Sequence, residues 1–244
     1  MGDEKGQENQ TPQCKFQFYY REDPVYLSSP SHEAIERLNL RQIFETESAK
    51  AIKDLEIDKQ LTISVIVPAD IKNSNIIDSL GIGAWTFSND KASGVIFQLD
   101  PNHLDIVANI SKWQGRIIAH EFNHLARCSF SGETLIDALV FEGLAVNYEE
   151  NWGGKYQKSP WGNALKPKQL KIEWQKAQKE LDSTLTLDNY RDWFFGTSHG
   201  HPRWTGYALG AEIVRHYLKS NPSEPMREVV HKPSREILLE NFKP

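Results

Sequence analysis

Cysteine is scarce in this chain, and its scarcity excludes two kinds of structure. Only Cys14 and Cys128 occur among the 244 residues. Neither a disulfide-dense scaffold nor a four-cysteine zinc site can be built from two cysteines. No feature of the sequence indicates a bridge between them, so we expect both to be free thiols.

Long apolar runs and an excess of positive charge are missing as well. No apolar run approaches the roughly 18 to 20 residues that a membrane-spanning helix needs, so we expect no membrane span. The formal net charge is -5, and the basic residues are mostly interleaved with acidic ones. We therefore do not expect nucleic acid as a partner.

The composition is otherwise that of a folded domain, with 39% hydrophobic and 25% charged residues. We find no internal repeat and no linker composition that would divide the chain. The first residues carry no large apolar side chain after Met1 and cannot offset the entropy cost of ordering. The sequence therefore predicts a flexible polar leader over residues 1–15 and a single domain over residues 16–244.

The polar leader has two interpretations. A cytoplasmic protein can simply begin with a polar tail. Alternatively, a signal has been trimmed away, and the stretch is the spacer that follows the lipid-bearing cysteine of a bacterial lipoprotein. We favour the second interpretation, which predicts a bacterial cell-envelope or extracytoplasmic location and an N-terminal lipid anchor in the precursor.

Alternating and helical hydrophobic patterns predict an α+β domain. Residues 61–67 alternate and are rich in β-branched side chains, and residues 82–87 and 94–99 form a hairpin pattern around a polar turn. Helical periodicity begins at Ser31 and recurs later in the chain. We expect a small sheet, mainly antiparallel or else mixed, packed with helices at 106–128 (in one piece or two around Gly115), 133–150, 167–181 and 205–219.

The residues His120-Glu121-Phe122-Asn123-His124 form an H-E-x-x-H motif. On a helix, positions i and i+4 lie on one face with Cβ atoms about 5–6 Å apart, so His120 and His124 can bind one zinc ion together. Glu121 can act as a general base on a water molecule held at the open position of the metal. The apolar neighbours indicate a buried active-site helix rather than a surface helix.

Zinc also needs a third protein ligand. A metzincin would have glycine three residues after the second histidine, but Arg127 stands there, so that class is excluded. Glu142 lies in the middle of an apolar helix, where acids are rare unless paired or bound to metal. Asp137 is the rival ligand, or a residue that orients a histidine. Gly143 and Ala145 would let this helix approach the histidine helix closely.

These motifs resemble a bacterial family of predicted zinc-dependent proteases. The resemblance rests on the H-E-x-x-H motif, on Glu142-Gly143-Leu144-Ala145 and on Gly206-Tyr207-Ala208-Leu209-Gly210, and it covers roughly residues 60 to 220. It implies a zincin-like metallopeptidase fold of the glutamate-ligand type, with Zn²⁺ as cofactor and a peptide or protein as substrate. A more distant likeness to gliding-motility lipoproteins agrees with the trimmed-signal interpretation.

Amide hydrolysis passes through an oxyanion, and zincins usually supply a second electrophile besides the metal. Tyr207 matches the family's Gly-Tyr segment, and His201, His199 and Arg203 lie close to it in the sequence. We expect Tyr207 or His201 to stabilise the oxyanion. The strand 94–99 is the expected edge strand that would bind an extended peptide by backbone pairing.

The sequence thus predicts a zinc peptidase whose metal is held by His120, His124 and Glu142 and whose general base is Glu121. One rival hypothesis is a non-catalytic zincin-fold binding or assembly module of the cell envelope. An intact Glu121 argues against it, because a purely structural zinc site needs no base. A second rival is a hydrolase that acts on something other than a peptide.

Overall fold

The structure, a computed structural model, describes residues 15–19, 40–67, 77–88, 92–127, 133–154, 156–196 and 200–244. Its strands are β1 (Lys15–Tyr19), β2 (Leu61–Ile66), β3 (Ile82–Ser88) and β4 (Ser93–Leu99). Its helices are α1 (Leu40–Asp54), α2 (Ile106–Ala126), α3 (Leu135–Glu150), α4 (Pro167–Ala177), α5 (Leu187–Phe195), α6 (Thr205–Ser220), α7 (Met226–Val229) and α8 (Ser234–Ile237), with a short 3₁₀ turn at Trp152–Gly154.

Several predictions fall on other parts of the chain. The leader up to residue 14, the helix start at Ser31, both cysteines and His199 lie outside the described residues. The α+β class is confirmed, whereas the division into a leader and one domain stays a prediction. Within the described ranges, no helix is long and apolar enough to cross a membrane.

The four strands form one sheet in the order β1-β2-β4-β3. β3 and β4 pair antiparallel, as the hairpin pattern predicts, but β1 with β2 and β2 with β4 pair parallel. The expectation of a mainly antiparallel sheet is therefore wrong. Neighbouring strands joined by a short turn must run antiparallel, but β1 and β2 are separated by α1, and such a connection allows parallel pairing. The strand β1 itself was not expected from the sequence.

The correction also changes which strand lies at the edge. β4 is paired on both sides, so the expectation that residues 94–99 form the edge strand is wrong. β3 lies at the end of the sheet order, and it is the strand that packs against α2. Among the described strands, β3 is thus the edge strand beside the helix that carries the H-E-x-x-H motif.

Helix α2 is one continuous helix, although Gly115 made a break in the middle possible. A Cβ atom at Gly115 would lie 3.0 Å from the Oε2 atom of Glu47 and 3.3 Å from the Nε1 atom of Trp152. Glycine is used here for close approach to a neighbouring side chain rather than for a bend. The buried face of α2 packs with α1 and the sheet in a core that includes Ile117, Ile118 and Phe122.

Helices α3 and α6 cross with their backbones in contact. A Cβ atom at Gly143 would lie 2.2 Å from the carbonyl oxygen of Gly210, and one at Gly210 would lie 2.0 Å from that of Leu139. The Asn147 amide bridges the crossing, donating to the carbonyl oxygens of Gly143 at 2.8 Å and Ala211 at 3.0 Å. Gly143 therefore permits the approach of α3 to α6, and not its approach to α2 as expected.

Arg127 follows the last residue of α2 and is fully buried. Its guanidinium donates to the carbonyl oxygens of Val230 at 2.7 Å and Lys232 at 3.1 Å, and to the Ser234 hydroxyl at 3.1 Å. Burial lowers the pKa of Arg127 to about 10, and the negative charge of Asp137 acts against this shift. The residue that excludes a metzincin motif thus ties the C-terminal segment to the motif helix.

Candidate metal centre

The two motif histidines lie on one face of α2, as their spacing predicts. Their ring centroids are 4.7 Å apart, and both side chains are nearly buried. The ring of His124 stacks on Phe141 with centroids 3.9 Å apart and an interplanar angle of 7°. Within the described chain, the Nδ1 atom of His124 has no hydrogen-bond partner, so stacking rather than hydrogen bonding holds this ring.

Glu142 brings a carboxylate from α3 to both imidazoles. Its Oε2 atom lies 3.3 Å from Nε2 of His120 and 3.4 Å from Nε2 of His124. Both distances exceed those of ordinary charge-assisted hydrogen bonds, and Oε2 is buried without a hydrogen-bond partner among the described residues. A tetrahedral zinc ion with bonds of about 2.0–2.2 Å would separate its ligand atoms by about 3.3–3.6 Å.

His120, His124 and Glu142 can therefore hold a metal ion. Their ligand atoms all lie within 4.8 Å of one another, and two imidazoles with one carboxylate are a donor set that zinc prefers. The set matches the ligands predicted from the sequence. Asp137 is not among them. It lies in the first turn of α3, where its carboxylate accepts a 2.6 Å hydrogen bond from the Thr134 hydroxyl, and Thr134 caps the helix.

Two residues that the sequence reasoning missed hold these ligands in place. The Nδ1 atom of His120 lies 2.9 Å from the Oε2 atom of Glu149, whose side chain is fully buried. The Tyr190 hydroxyl, on α5, donates to Oε1 of Glu142 at 3.0 Å. Glu149 lies about two helical turns beyond Glu142, hence on the same face of an apolar helix, and that spacing could have revealed it. Tyr190 has no comparable signal.

Burial and the neighbouring charges shift the pKa values of three side chains at this centre. Burial would lower the pKa of His120, but its contacts with Glu142 and Glu149 outweigh burial and raise that pKa well above its usual value. Burial would raise the pKa of Glu142, but the charge of His124 and the contacts of both imidazoles hold it well below its ordinary range. The pKa of Glu149 is raised by burial, which the interaction with His120 only partly offsets.

Glu121 is held by a hydroxyl of the edge strand β3. The Thr86 hydroxyl of β3 lies 2.7 Å from Oε2 of Glu121 and 3.0 Å from its backbone carbonyl oxygen. The side chain of Glu121 is nearly buried. A hydroxyl that donates to one carboxylate oxygen fixes the side-chain orientation and leaves the other oxygen available as a base. Thr86 was not predicted, because its contact with Glu121 arises only from the packing of β3 on α2.

Two tyrosines complete the surroundings of the centre. Burial and the negative charges of Glu142 and Glu121 raise the pKa of Tyr207 well above its ordinary value, and the hydrogen bond between the two tyrosines adds to this. Burial and the same two carboxylates raise the pKa of Tyr190. Both phenols are therefore neutral near pH 7 and can donate hydrogen bonds. Tyr207 thus lies near the carboxylates of the centre, while its catalytic role stays a prediction.

The other candidates for the oxyanion have different surroundings. His201 has its Nδ1 atom 2.6 Å from Glu173 and its Nε2 atom 3.7 Å from Asp192, and its ring stacks on Trp193 with centroids 3.8 Å apart. These contacts do not support a catalytic role for His201, which stays a prediction. The guanidinium of Arg203 lies over the ring of Trp204, 4.7 Å from its centroid.

Comparison with known proteins agrees with this site. The family model described as Predicted Zn-dependent protease (DUF2268) matches residues 40–239. The chain is also 26% identical over 164 residues to "Uncharacterized protein YjaZ" of Bacillus subtilis (strain 168), an alignment that covers 64% of this chain and only 59% of that relative. No solved structure matches the chain. Since the family model spans most of its length, the chain belongs to the family of predicted Zn-dependent proteases (DUF2268).

Proposed function

We propose that this protein is a zinc metallopeptidase with a zincin-like fold of the glutamate-ligand type. The observation that carries the proposal is the position of Oε2 of Glu142, which lies 3.3 Å from Nε2 of His120 and 3.4 Å from Nε2 of His124. A general base stands next to this group in the chain, which a structural zinc site would not need. The family description supports the same reaction class.

A bound zinc ion would act as a Lewis acid towards water and the carbonyl of the scissile bond. Glu121 then serves as general base, and it later gives the proton to the leaving amine. Thr86 holds its carboxylate in one orientation for both transfers. Because the base and its hydroxyl partner come from two packed elements, their relative position is set before substrate binds.

Tyr207 is the proposed donor to the oxyanion. The negative charges of Glu142 and Glu121 both raise the pKa of Tyr207, and this supports a place for its hydroxyl near the two carboxylates of the site. The Tyr190 hydroxyl donates a hydrogen bond to Glu142 at 3.0 Å. Tyr190 is therefore the proposed positioning residue for both Glu142 and Tyr207. A neutral phenol donates one hydrogen bond, which strengthens as charge develops on the carbonyl oxygen.

The substrate is proposed to be an extended peptide that pairs with β3. This strand lies at the end of the sheet order, and its residues from Ala84 to Ser88 are at least partly exposed. It also carries Thr86, so a peptide paired with β3 would pass beside Glu121. Backbone pairing of this kind gives affinity with little dependence on sequence.

Two variants test the proposal. Glu121→Gln should retain about one zinc ion per chain and lose at least about a hundredfold in peptide cleavage, since only the base is removed. Glu142→Ala should lose zinc or bind it much more weakly. Zinc content by elemental analysis and cleavage of a mixed peptide library would be measured side by side.

Two outcomes would contradict this scheme. Full activity in Glu121→Gln would exclude the proposed base. A wild-type protein that binds zinc but cleaves no peptide in the library would favour the non-catalytic module of the cell envelope, or a hydrolase with a different substrate. A broad panel of ester and amide substrates would then separate those two.

A further inference from the structure

An aromatic side chain is exposed beside the two tyrosines of the metal centre. Phe195 is 43% exposed, and its ring centroid lies 6.2 Å from that of Tyr190 and 6.4 Å from that of Tyr207. Single exposed apolar residues are common on protein surfaces. What distinguishes Phe195 is that its neighbours are the same two tyrosines whose hydroxyls lie near the carboxylates of the site.

Packing of the tyrosines does not explain Phe195, because its neighbour Phe194 already does this. Phe194 is fully buried. It stacks on Tyr190 with centroids 4.4 Å apart and meets Tyr207 edge to face at 5.2 Å. Phe195 therefore adds apolar surface towards solvent without being needed to hold either tyrosine.

The position of Phe195 is set by the backbone that follows it. Helix α5 ends at Gly196 with a φ of +70°, where a Cβ atom would lie 2.8 Å from the backbone of both His201 and Arg203. The Trp204 amide donates to the carbonyl oxygen of Phe194 at 3.1 Å. Contacts with the residues just before α6 thus hold the end of α5, and the Phe195 ring stands on this last turn.

We propose that Phe195, together with the ring of Tyr207, forms the wall of a subsite that takes a large apolar or aromatic side chain of the substrate next to the scissile bond. This inference rests on the proposed peptidase function and names its substrate class. The surface offered is apolar and aromatic, and aromatic rings attract other rings in edge-to-face or offset contacts. The carboxylate of Glu142, 3.0 Å from the Tyr190 hydroxyl, disfavours an acidic side chain at the same place.

The test uses binding to the zinc-loaded protein, so it does not depend on turnover. Three dipeptide hydroxamates would be compared by calorimetry, differing only in the side chain next to the hydroxamate: phenylalanine, alanine or aspartate. We expect wild type to bind the phenylalanine compound roughly tenfold more tightly than the alanine compound and the aspartate compound least tightly. In Phe195→Ala the first preference should fall to about twofold or less, and Phe195→Leu should restore part of it.

Ile172→Ala is the matched control, because Ile172 is 45% exposed on a different helix. It should keep the wild-type preference, and its unfolding midpoint, like that of Phe195→Ala, should stay near the wild-type value. Equal binding of the phenylalanine and alanine compounds by wild type, no binding of any of the three, or a preference that survives in Phe195→Ala would each overturn the subsite. If wild type prefers the phenylalanine compound and Phe195→Ala does not, but wild type cleaves no peptide, the peptidase function is refuted and the subsite is retained.

Discussion

Removing the carboxylate of Glu149 should weaken zinc binding although Glu149 does not touch the metal. Its Oε2 atom lies 2.9 Å from Nδ1 of His120. In accepting a hydrogen bond from Nδ1–H, it keeps the proton on Nδ1, leaves Nε2 as the lone-pair donor and fixes the plane of the ring. Its other oxygen, Oε1, has no hydrogen-bond partner in the described chain, so the contact with His120 is the one for which this buried acid is placed.

The size of the effect follows from burial. The side chain of Glu149 is 0% exposed, and a hydrogen bond to a charged group in such a site contributes about 1.5–3 kcal/mol. That corresponds to a loss of roughly ten- to a hundredfold in zinc affinity. Glu149→Leu removes both charge and acceptor and should approach the upper figure. Glu149→Gln keeps an acceptor for Nδ1 and should lie near the lower one.

Zinc dissociation constants would be measured by competition with a chromophoric chelator. The matched control is Glu150→Gln, because Glu150 is equally buried but accepts hydrogen bonds from Ser159, Asn163 and Arg215 instead. That variant should lower the unfolding midpoint and leave the zinc dissociation constant within about threefold of wild type. An unchanged zinc dissociation constant in Glu149→Leu would refute the reasoning. Equal losses of zinc affinity in Glu149→Gln and Glu150→Gln would refute it as well.

Three further predictions concern the tyrosine, the helix crossing and the buried arginine. Tyr207→Phe should lower kcat about a hundredfold or more while zinc content is unchanged, because one oxyanion donor is lost; steady-state kinetics with a tenfold loss or less would contradict this. Gly143→Ala should destabilise the fold by about 3 kcal/mol or more in chemical denaturation, because its Cβ would lie 2.2 Å from the Gly210 carbonyl oxygen; a wild-type midpoint would show that the helices can separate freely. Arg127→Met should cost about 3 kcal/mol by the same assay, because three acceptors, two of them buried, lose their donor; a loss below 1 kcal/mol would show that the C-terminal segment is held by other contacts.

The part of the site that follows from local periodicity could be predicted. His120, Glu121 and His124 are encoded within about one helical turn, and Glu142 is marked by its charge within an apolar helix. Thr86 and Tyr190 could not be found in the same way. Each reaches the site from an element distant in sequence, and neither strand alternation nor helical spacing gives the distance between two packed elements.

The same limit explains the errors in the fold. The β3–β4 hairpin is a local structure, and its turn chemistry predicted it. The parallel pairing of β2 with β1 and β4 depends on the order of the strands in the sheet, which residue patterns in a single strand do not encode. His201 is a different case: it was proposed because it is close to Tyr207 in sequence, and its catalytic role stays a prediction. In the fold, Glu173 and Asp192 engage both nitrogens of its ring, and these two acids come from α4 and α5.

The contact of Gly143 with Gly210 also restricts how this protein can move. Packed helices usually slide on the side chains between them, but here the backbones meet directly and Asn147 bridges them. Helices α3 and α6 should therefore behave as one rigid unit that carries Glu142, Glu149 and Tyr207 together. Substrate binding would then leave the spacing between Glu142 and Tyr207 unchanged, because both side chains stand on this unit.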